Sequence, residues 1–381
     1  MKIAKSGIIW KLKRPMYGLD DSSRNWYFTL KDTLLELGCV ISKLDKCVFC
    51  YYEGTKLQGM LITHVDDLIY AGSTKFKQNI IQQIKKKFVI SREASGSFKY
   101  LGWSINQFED CIKVDQRIYA ENVKPVQIDT KRKQQTEDYL NAEEIKQYQK
   151  LLGQLLWLSN QTRPDLTYDT LEHSTYSKRP LVKNLISLNK VVKKLPDGPK
   201  CLTFNKLNIK EGELKIVFHS DASLGNMPNR TDSGRGFIIF LVNGDGNGCV
   251  LSWSSNKIRR KVHSVFGAET LGFLDGQSAA IYTRSILSEI LYRDINSKVI
   301  PIVGVTDSRQ LSENIRSTKQ CRDQRLRLDI AEIQEAVENE EIELKWTSTK
   351  SQLADALTKK TANCRPLCKA IEYGNLKDFV F

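Results

Sequence analysis

Along residues 47–70 short apolar runs alternate with polar breaks, at a spacing that predicts strands rather than helices. CVFCYY (47–52) and the run over 57–64 are joined by Glu53-Gly54-Thr55-Lys56, a hairpin signal. The second run leads into Asp66-Asp67, and Leu68-Ile69-Tyr70 follows as a third strand before Gly72-Ser73. An acid pair therefore stands at a second hairpin turn. From Thr74 to Phe88 the apolar residues Phe76, Ile80, Ile81, Ile84 and Phe88 recur at helical spacing and predict a helix packed on that sheet. FKYLGWSINQ (98–107) and CIKVDQ (111–116) read as a further strand pair that turns at Glu109-Asp110.

The pattern then fades. Residues 119–140 are polar, with Pro125 and the run KRKQQTED, and predict a linker. Asn141 is a helix N-cap with Glu144 as its capping-box partner, and the helix that follows carries Ile145, Tyr148, Leu152, Leu155 and Leu156 on one side. LPDGPK (195–200) is a Pro/Gly-rich boundary. Beyond it strands are predicted over 214–219, 235–242 and 249–254, then a helix over about 267–291 and a very apolar strand over 300–305. Helical segments to about 338, a strand over 342–347 and a short helix from about 351 complete the order β-β-β-α-β-α-β-α, an α/β layer fold.

Composition narrows the class. With 381 residues, two or three domains are expected. No apolar run approaches the roughly 20 residues of a membrane-spanning helix, and the first residues lack the apolar core of a signal peptide. The nine cysteines are scattered; Cys47 and Cys50 alone have metal-like spacing, with no second pair to complete a zinc site, which fits free thiols in a reducing compartment. Residues 1–200 hold 33 lysines and arginines against 22 acids, whereas 201–381 hold 25 against 22. The basic first half points to a polyanionic partner.

Four acids of the second half fall at element ends: Asp221 (VFHSDAS), Glu269 (FGAETL), Asp307 (GVTDS) and Asp355 (QLADAL). Each alone reads first as an ordinary surface, cap or turn residue. Strand ends and helix starts at one sheet edge can converge, and four carboxylates gathered there require cations. Hard oxygen ligands suit Mg²⁺, and paired ions suit phosphodiester displacement. Asp66-Asp67 reads either as a solvated turn or as part of a second metal site.

HSDASLG, TDSGRGFIIFL, LSWSSNK, GAETLGFLDG, VTDSRQL and QLADALTKK resemble, in order and spacing, the ribonuclease H domain of copia-type retrotransposon Pol polyproteins. The first half resembles the same family. KLKRPMYGLDDSSRNWY (11–27) is similar to its segment beneath the incoming nucleotide, HVDDLIYAGS to its Y-V-D-D hairpin, FKYLGWSI to its primer grip, and YQKLLGQLLWLSNQTRPDLTY (148–168) to the helices beyond the palm. The resemblance implies α/β and α+β architecture: a truncated reverse transcriptase palm over 1–125, a helical thumb or connection region over 126–205, a ribonuclease H-like mixed sheet flanked by helices over 206–360, and a tail over 361–381. It implies that Asp221, Glu269, Asp307 and Asp355 hold metal for hybrid cleavage and that Asp66 and Asp67 are polymerase acids. Mg²⁺, with Mn²⁺ as substitute, is the implied cofactor.

The sequence also departs from that family. Its palm carries a further aspartate upstream that this chain does not include. Asp20-Asp21 stand where Lys-Gln is usual, His64 replaces a tyrosine, and no histidine precedes the last aspartate, leaving His219 and His263 as the nearby histidines. The expectation is a ribonuclease H whose polymerase half is inactive alone; the alternative is a nucleic-acid-binding remnant without chemistry. Implied partners are an RNA–DNA hybrid and primer–template, with other Pol or capsid-like chains of the same element. No membrane partner is expected. The implied location is intracellular, in cytoplasmic particles and the nucleus. Lys257, Arg259, Arg260 and Lys261 are further candidates for phosphate contacts.

Overall fold

The computed structural model describes residues 18–207, 213–318, 321 and 323–379. Of the 11–27 motif, residues 11–17 lie outside the described residues. Two compact units are present, one formed by residues 1–93 with 285–297 and the other by 94–284 with 298–381.

In the first unit α1 (Ser22–Glu36) precedes a four-stranded antiparallel sheet of β1 (Val40–Ile41), β2 (Val48–Glu53), β3 (Lys56–His64) and β4 (Asp67–Gly72), paired in that order. Its core joins Leu30 and Leu34 of α1 to Phe49, Leu61, Phe76, Ile80 and Ile84. The predicted helix after the sheet is present but irregular. Short α2 (Thr74–Phe76), capped by the Ser73 hydroxyl, passes through a π turn (Lys77–Ile81) into α3 (Gln82–Lys87). The extra residue in that turn keeps Phe76, Ile80, Ile81 and Ile84 all buried.

The second unit begins with β5 (Ser97–Tyr100), β6 (Trp103–Gln107) and β7 (Cys111–Asp115). The stretch 98–107, expected as one strand, is two: Leu101 and Gly102 both take positive φ (48° and 85°) and reverse the chain. The expected linker 119–140 is also packed structure. Short α4 (Arg117–Asn122) and α5 (Thr130–Gln134) lie here, and Val123 and Leu140 are buried in the helical core. A few apolar anchors suffice to dock this segment; its many polar residues face solvent, which is why the pattern looked unstructured. The Asn141–Glu144 capping box forms as expected and starts α6 (Ala142–Gln161). With α7 (Thr167–Ser174) and α8 (Val182–Lys193) it buries Tyr148, Leu152, Leu155, Leu185 and Leu188. After the 195–200 break, β8 (Leu202–Asn205) returns to pair with β7, ninety residues earlier in the chain.

A five-stranded sheet follows. Antiparallel β9 (Lys215–Ser223), β10 (Gly234–Val242) and β11 (Gly248–Lys257) lead to α9 (Val265–Tyr292), then β12 (Ile302–Thr306), α10 (Arg309–Arg316), α11 (Arg327–Glu338) and β13 (Glu343–Trp346). The order across the sheet is β11-β10-β9-β12-β13, with β12 parallel to both β9 and β13. This is the element order the pattern predicts and the mixed sheet the resemblance implies. The short helix expected from about 351 is instead two 3₁₀ turns, Thr349–Ser351 and Leu353–Leu357. Residues 361–381 are not a loose tail where described: α12 (Arg365–Tyr373) puts Leu367, Ala370 and Ile371 into the core against Val217, Phe240 and Val250.

Candidate metal centre

β9 and β12 run parallel, with Val305 opposite His219. Two residues further along each strand come Asp307 and Asp221, so the register alone sets them side by side at one sheet edge. Asp355 arrives from the Leu353–Leu357 turn. One carboxylate oxygen from each of Asp221, Asp307 and Asp355 lies within 4.8 Å of the others. Asp221 has no exposed surface, while the other two are part-exposed.

Close backbone approaches make this convergence possible. Gly236 faces Asp221 across the β9–β10 ladder. A Cβ there would stand 2.8 Å from Leu357 Cβ and 3.1 Å from the Ser254 carbonyl, so the Asp355 segment reaches the sheet only over a glycine. Gly272 does the same for α9, where a Cβ would lie 3.1 Å from the Asp221 carbonyl. Glu269, one turn earlier on α9, is buried and accepts a hydrogen bond from the Ala222 N–H. It is near enough for Asp221 and Asp307 to act on its charge, yet it stands outside the mutual 4.8 Å set.

The electrostatics are those of a site short of positive charge. Burial pushes the Asp221 carboxyl up to about 7, against the opposing pull of Lys359 and the Thr358 hydroxyl, and Asp355 and Asp307 push it further. Glu269 is raised well above the ordinary glutamate range, by burial first and then by Asp221 and Asp307. Lys359 offsets part of this. Its Nζ donates to Asp355 Oδ1 at 2.6 Å and to Asp221 Oδ1 at 3.1 Å. Burial alone would lower its proton affinity, but the two carboxylates outweigh that and raise it. Thr358 Oγ1 donates to the other oxygen, Asp221 Oδ2. A donor set of carboxylate oxygens fits a hard divalent ion, and an ammonium seated between two of them marks the point where positive charge is stabilised.

A buried network holds the Asp355 segment in place. Gln352 Nε2 donates to the Ser220 carbonyl at 3.0 Å, while its Oε1 accepts from Ala354 N–H at 3.2 Å and lies 3.1 Å from His219 Nδ1. His219 is thus a buried support beneath the acids. Its burial holds the imidazole down at about 4, so it stays neutral near pH 7. His263 is exposed in the segment before α9. Thr349 Oγ1 donates to Asp307 Oδ2 at 2.7 Å. Gln352, Thr358 and Lys359 were not singled out by sequence reasoning, although all three lie within or beside the QLADALTKK motif that was.

Three of the four basic residues at and beyond the end of β11 are engaged in ion pairs. Lys257 and Lys261 both pair with Asp232, and Arg260 pairs with Asp329. Asp232 is held well below the ordinary aspartate range by those hydrogen bonds.

Asp66 and Asp67 lie in the first unit. His64 pairs with Asp67, so Val65 and Asp66 form a two-residue turn and Asp67 opens β4. Both acids are exposed. Val65 takes φ 56°, a conformation that a β-branched residue rarely adopts. Trp26 Nε1 donates to its carbonyl at 2.7 Å. Among the described residues no third acid joins this pair in a ligand cluster. Asp20 and Asp21 are exposed at the start of α1, and the Asp21 side chain makes no capping hydrogen bond.

Residues 2–134 match the family described as reverse transcriptase (RNA-dependent DNA polymerase). Over 370 residues the chain is 25% identical to the retrovirus-related Pol polyprotein from transposon RE1 of Arabidopsis thaliana, covering 92% of this chain and 24% of that protein. It is 26% identical to the Ty1-GR2 Gag-Pol polyprotein of Saccharomyces cerevisiae over 385 aligned positions, covering 92% and 21%. The chain spans about a quarter of the length of these polyproteins. Among solved structures, LC11-RNase H1 from compost, in complex with RNA/DNA hybrid, is similar at 15% identity and TM-score 0.28, over 38% of this chain and 94% of that one. The prototype foamy virus protease–reverse transcriptase is similar at 12% identity and TM-score 0.23, over 82% and 43%.

Proposed function

We propose that this chain, which belongs with the copia-type retrotransposon Pol polyproteins, hydrolyses the RNA strand of RNA–DNA hybrids at the Asp221 cluster. The observation that carries the reading is the parallel β9–β12 register, which with the closing 3₁₀ turn brings three carboxylates from distant parts of the chain within 4.8 Å. Mg²⁺ or Mn²⁺ held there would polarise the scissile phosphate and lower the pKa of bound water. Asp221, Asp307 and Asp355 would bind and orient those ions. Glu269, held by the Ala222 N–H, stands next to the set and would complete it. Selectivity for RNA would come from its 2′-hydroxyls and the A-like shape of the hybrid, read across the minor groove.

Residues 18–93 supply the reverse transcriptase hairpin, whose Asp66 and Asp67 would take part in primer–template chemistry only with a further acid beside them. The basic residues of the first 200 positions would anchor nucleic acid in a salt-dependent manner. The test is incubation of the full chain with hybrid labelled on its RNA strand, in Mg²⁺ or Mn²⁺, beside an Asp307→Asn control. Cleavage of RNA lost in the control supports the proposal. A folded parent silent with both ions, yet binding hybrid, leaves a nucleic-acid-binding protein without chemistry.

A further inference from the structure

We propose that Lys359 is a tethered cation of the carboxylate cluster, holding Asp221 and Asp355 together until a divalent ion displaces its ammonium. The inference rests on the metal-dependent reading above. Both oxygens of the fully buried Asp221 carboxylate are already engaged, Oδ1 by Lys359 Nζ at 3.1 Å and Oδ2 by the Thr358 hydroxyl. A metal that uses Asp221 must take over at least one of these positions. The Thr358 hydroxyl can rotate to donate to the Asp355 carbonyl, from which it already stands 3.3 Å away. Lys359 has the freer exit, because a third of its side chain is exposed and its attachment is four residues beyond Asp355.

Charge gives the direction of the effect. Asp221, Glu269, Asp307 and Asp355 offer four carboxyl groups, and one ammonium compensates only one of them. The cluster keeps a strong attraction for divalent ions, but the first must compete with a charge that cannot diffuse away. Lys359 therefore stabilises the metal-free protein and weakens the first binding step. It keeps the acids in register while no metal is bound, and it resists loading at low metal concentration. Lys360 takes no part, being paired with Glu172 at 2.8 Å.

The test is calorimetric titration of the metal-stripped full chain with MnCl₂, comparing the parent with Lys359→Gln and Lys359→Arg. Lys359→Gln should bind the first ion about tenfold or more tightly, because a unit charge within a few ångströms of the site is gone. Lys359→Arg, which keeps the charge, should resemble the parent. Thermal unfolding in EDTA should show the opposite order, with Lys359→Gln the least stable and gaining most from Mn²⁺. Equal or weaker Mn²⁺ binding by Lys359→Gln overturns the proposal, since a lysine that only supports the fold would give that result. Binding in neither protein removes the metal-centre reading together with this one, whereas binding by Lys359→Gln alone keeps the competition and rejects only an active parent. Should Lys359→Gln not fold, the parent decides. Its Lys359 ammonium resonance, assigned from the Lys359→Arg spectrum, must shift or broaden on saturation with Mg²⁺, and an unchanged signal overturns the proposal.

Discussion

Trp26 and Val65 are joined by a 2.7 Å hydrogen bond from the indole N–H to a carbonyl in the Asp66–Asp67 turn. The bond ties α1 to the one residue of that turn with a strained backbone, Val65 at φ 56°. The ring also meets Phe88 edge-on, with centroids 5.1 Å apart. Trp26→Phe keeps an aromatic ring there and removes the donor. It should free the turn at a cost of about 1 kcal/mol, read as faster amide hydrogen exchange over residues 64–68. Unchanged exchange would mean that the turn is held by the β3–β4 ladder alone.

Primer extension by this chain should be undetectable. Two-metal nucleotidyl transfer needs ligands that share both ions, and Asp66 and Asp67 are exposed with no third acid clustered beside them among the described residues. Deoxynucleotide incorporation on a primed template that Asp66→Asn abolishes would refute this.

At the second cluster, Asp221→Asn, Glu269→Gln and Asp307→Asn should each lower hybrid cleavage by about a hundredfold or more, the scale of losing one group that stabilises transition-state charge. Asp355→Asn should cost less, because its carboxylate sits on a part-exposed 3₁₀ turn where water can substitute. Hybrid binding, measured by fluorescence anisotropy, should persist in all four. A folded Asp221→Asn protein that cleaves at the parent rate would exclude this cluster as the nuclease site.

Gly236→Ala tests the close approach directly. The added Cβ meets Leu357 Cβ at 2.8 Å and the Ser254 carbonyl at 3.1 Å, so the turn carrying Asp355 must move outward. Overpacking of this kind costs about 1–3 kcal/mol. Mn²⁺ affinity and cleavage should both fall, and a variant with parent-like metal binding would show that the turn has slack.

Acid sensitivity should centre on two histidines. Burial holds His173 down at about 4, against ~6.5 in an unfolded chain. Between those values the unfolded state takes up a proton that the folded state refuses, so stability is full above about pH 6.5 and falls as the pH drops towards 4. This group alone accounts for on the order of 3 kcal/mol over the window. His219 is depressed in the same way, so His173→Gln should reduce, without removing, the loss of urea stability between pH 7 and pH 5. An unchanged loss would exclude His173 as a source.

What could be read from the residues was mostly local or periodic. The Asn141–Glu144 box needs only four consecutive positions, and the order of strands and helices after 200 follows from apolar period alone. Asp221 and Asp307 were visible at strand ends, and Glu269 in the first turn of a helix. The structure around Asp355 was not. A helix was expected there, but the Gln352 side chain bonds to Ala354 N–H and the Ser220 carbonyl, and Gly236 admits the flat 3₁₀ turns against the sheet. The Ser220 and Gly236 contacts come from more than a hundred residues away, beyond the reach of any local pattern. The pairing of β8 with β7 was hidden for the same reason. Lys359 four residues after Asp355 resembles an ordinary helix-surface pair until Asp221 is placed beneath it.

The β9–β12 register carries one more consequence, for how this gene can decay. Asp221 and Asp307 meet because each lies two positions past the paired residues His219 and Val305. Exchanges of one apolar residue for another within Ile302–Val305 preserve that count. Loss or gain of a single codon between Ile302 and Thr306 does not, since a one-residue slip sends every following side chain to the opposite face of a strand. In-frame indels in this short stretch should therefore abolish the proposed hybrid cleavage where many missense changes leave the acids in register.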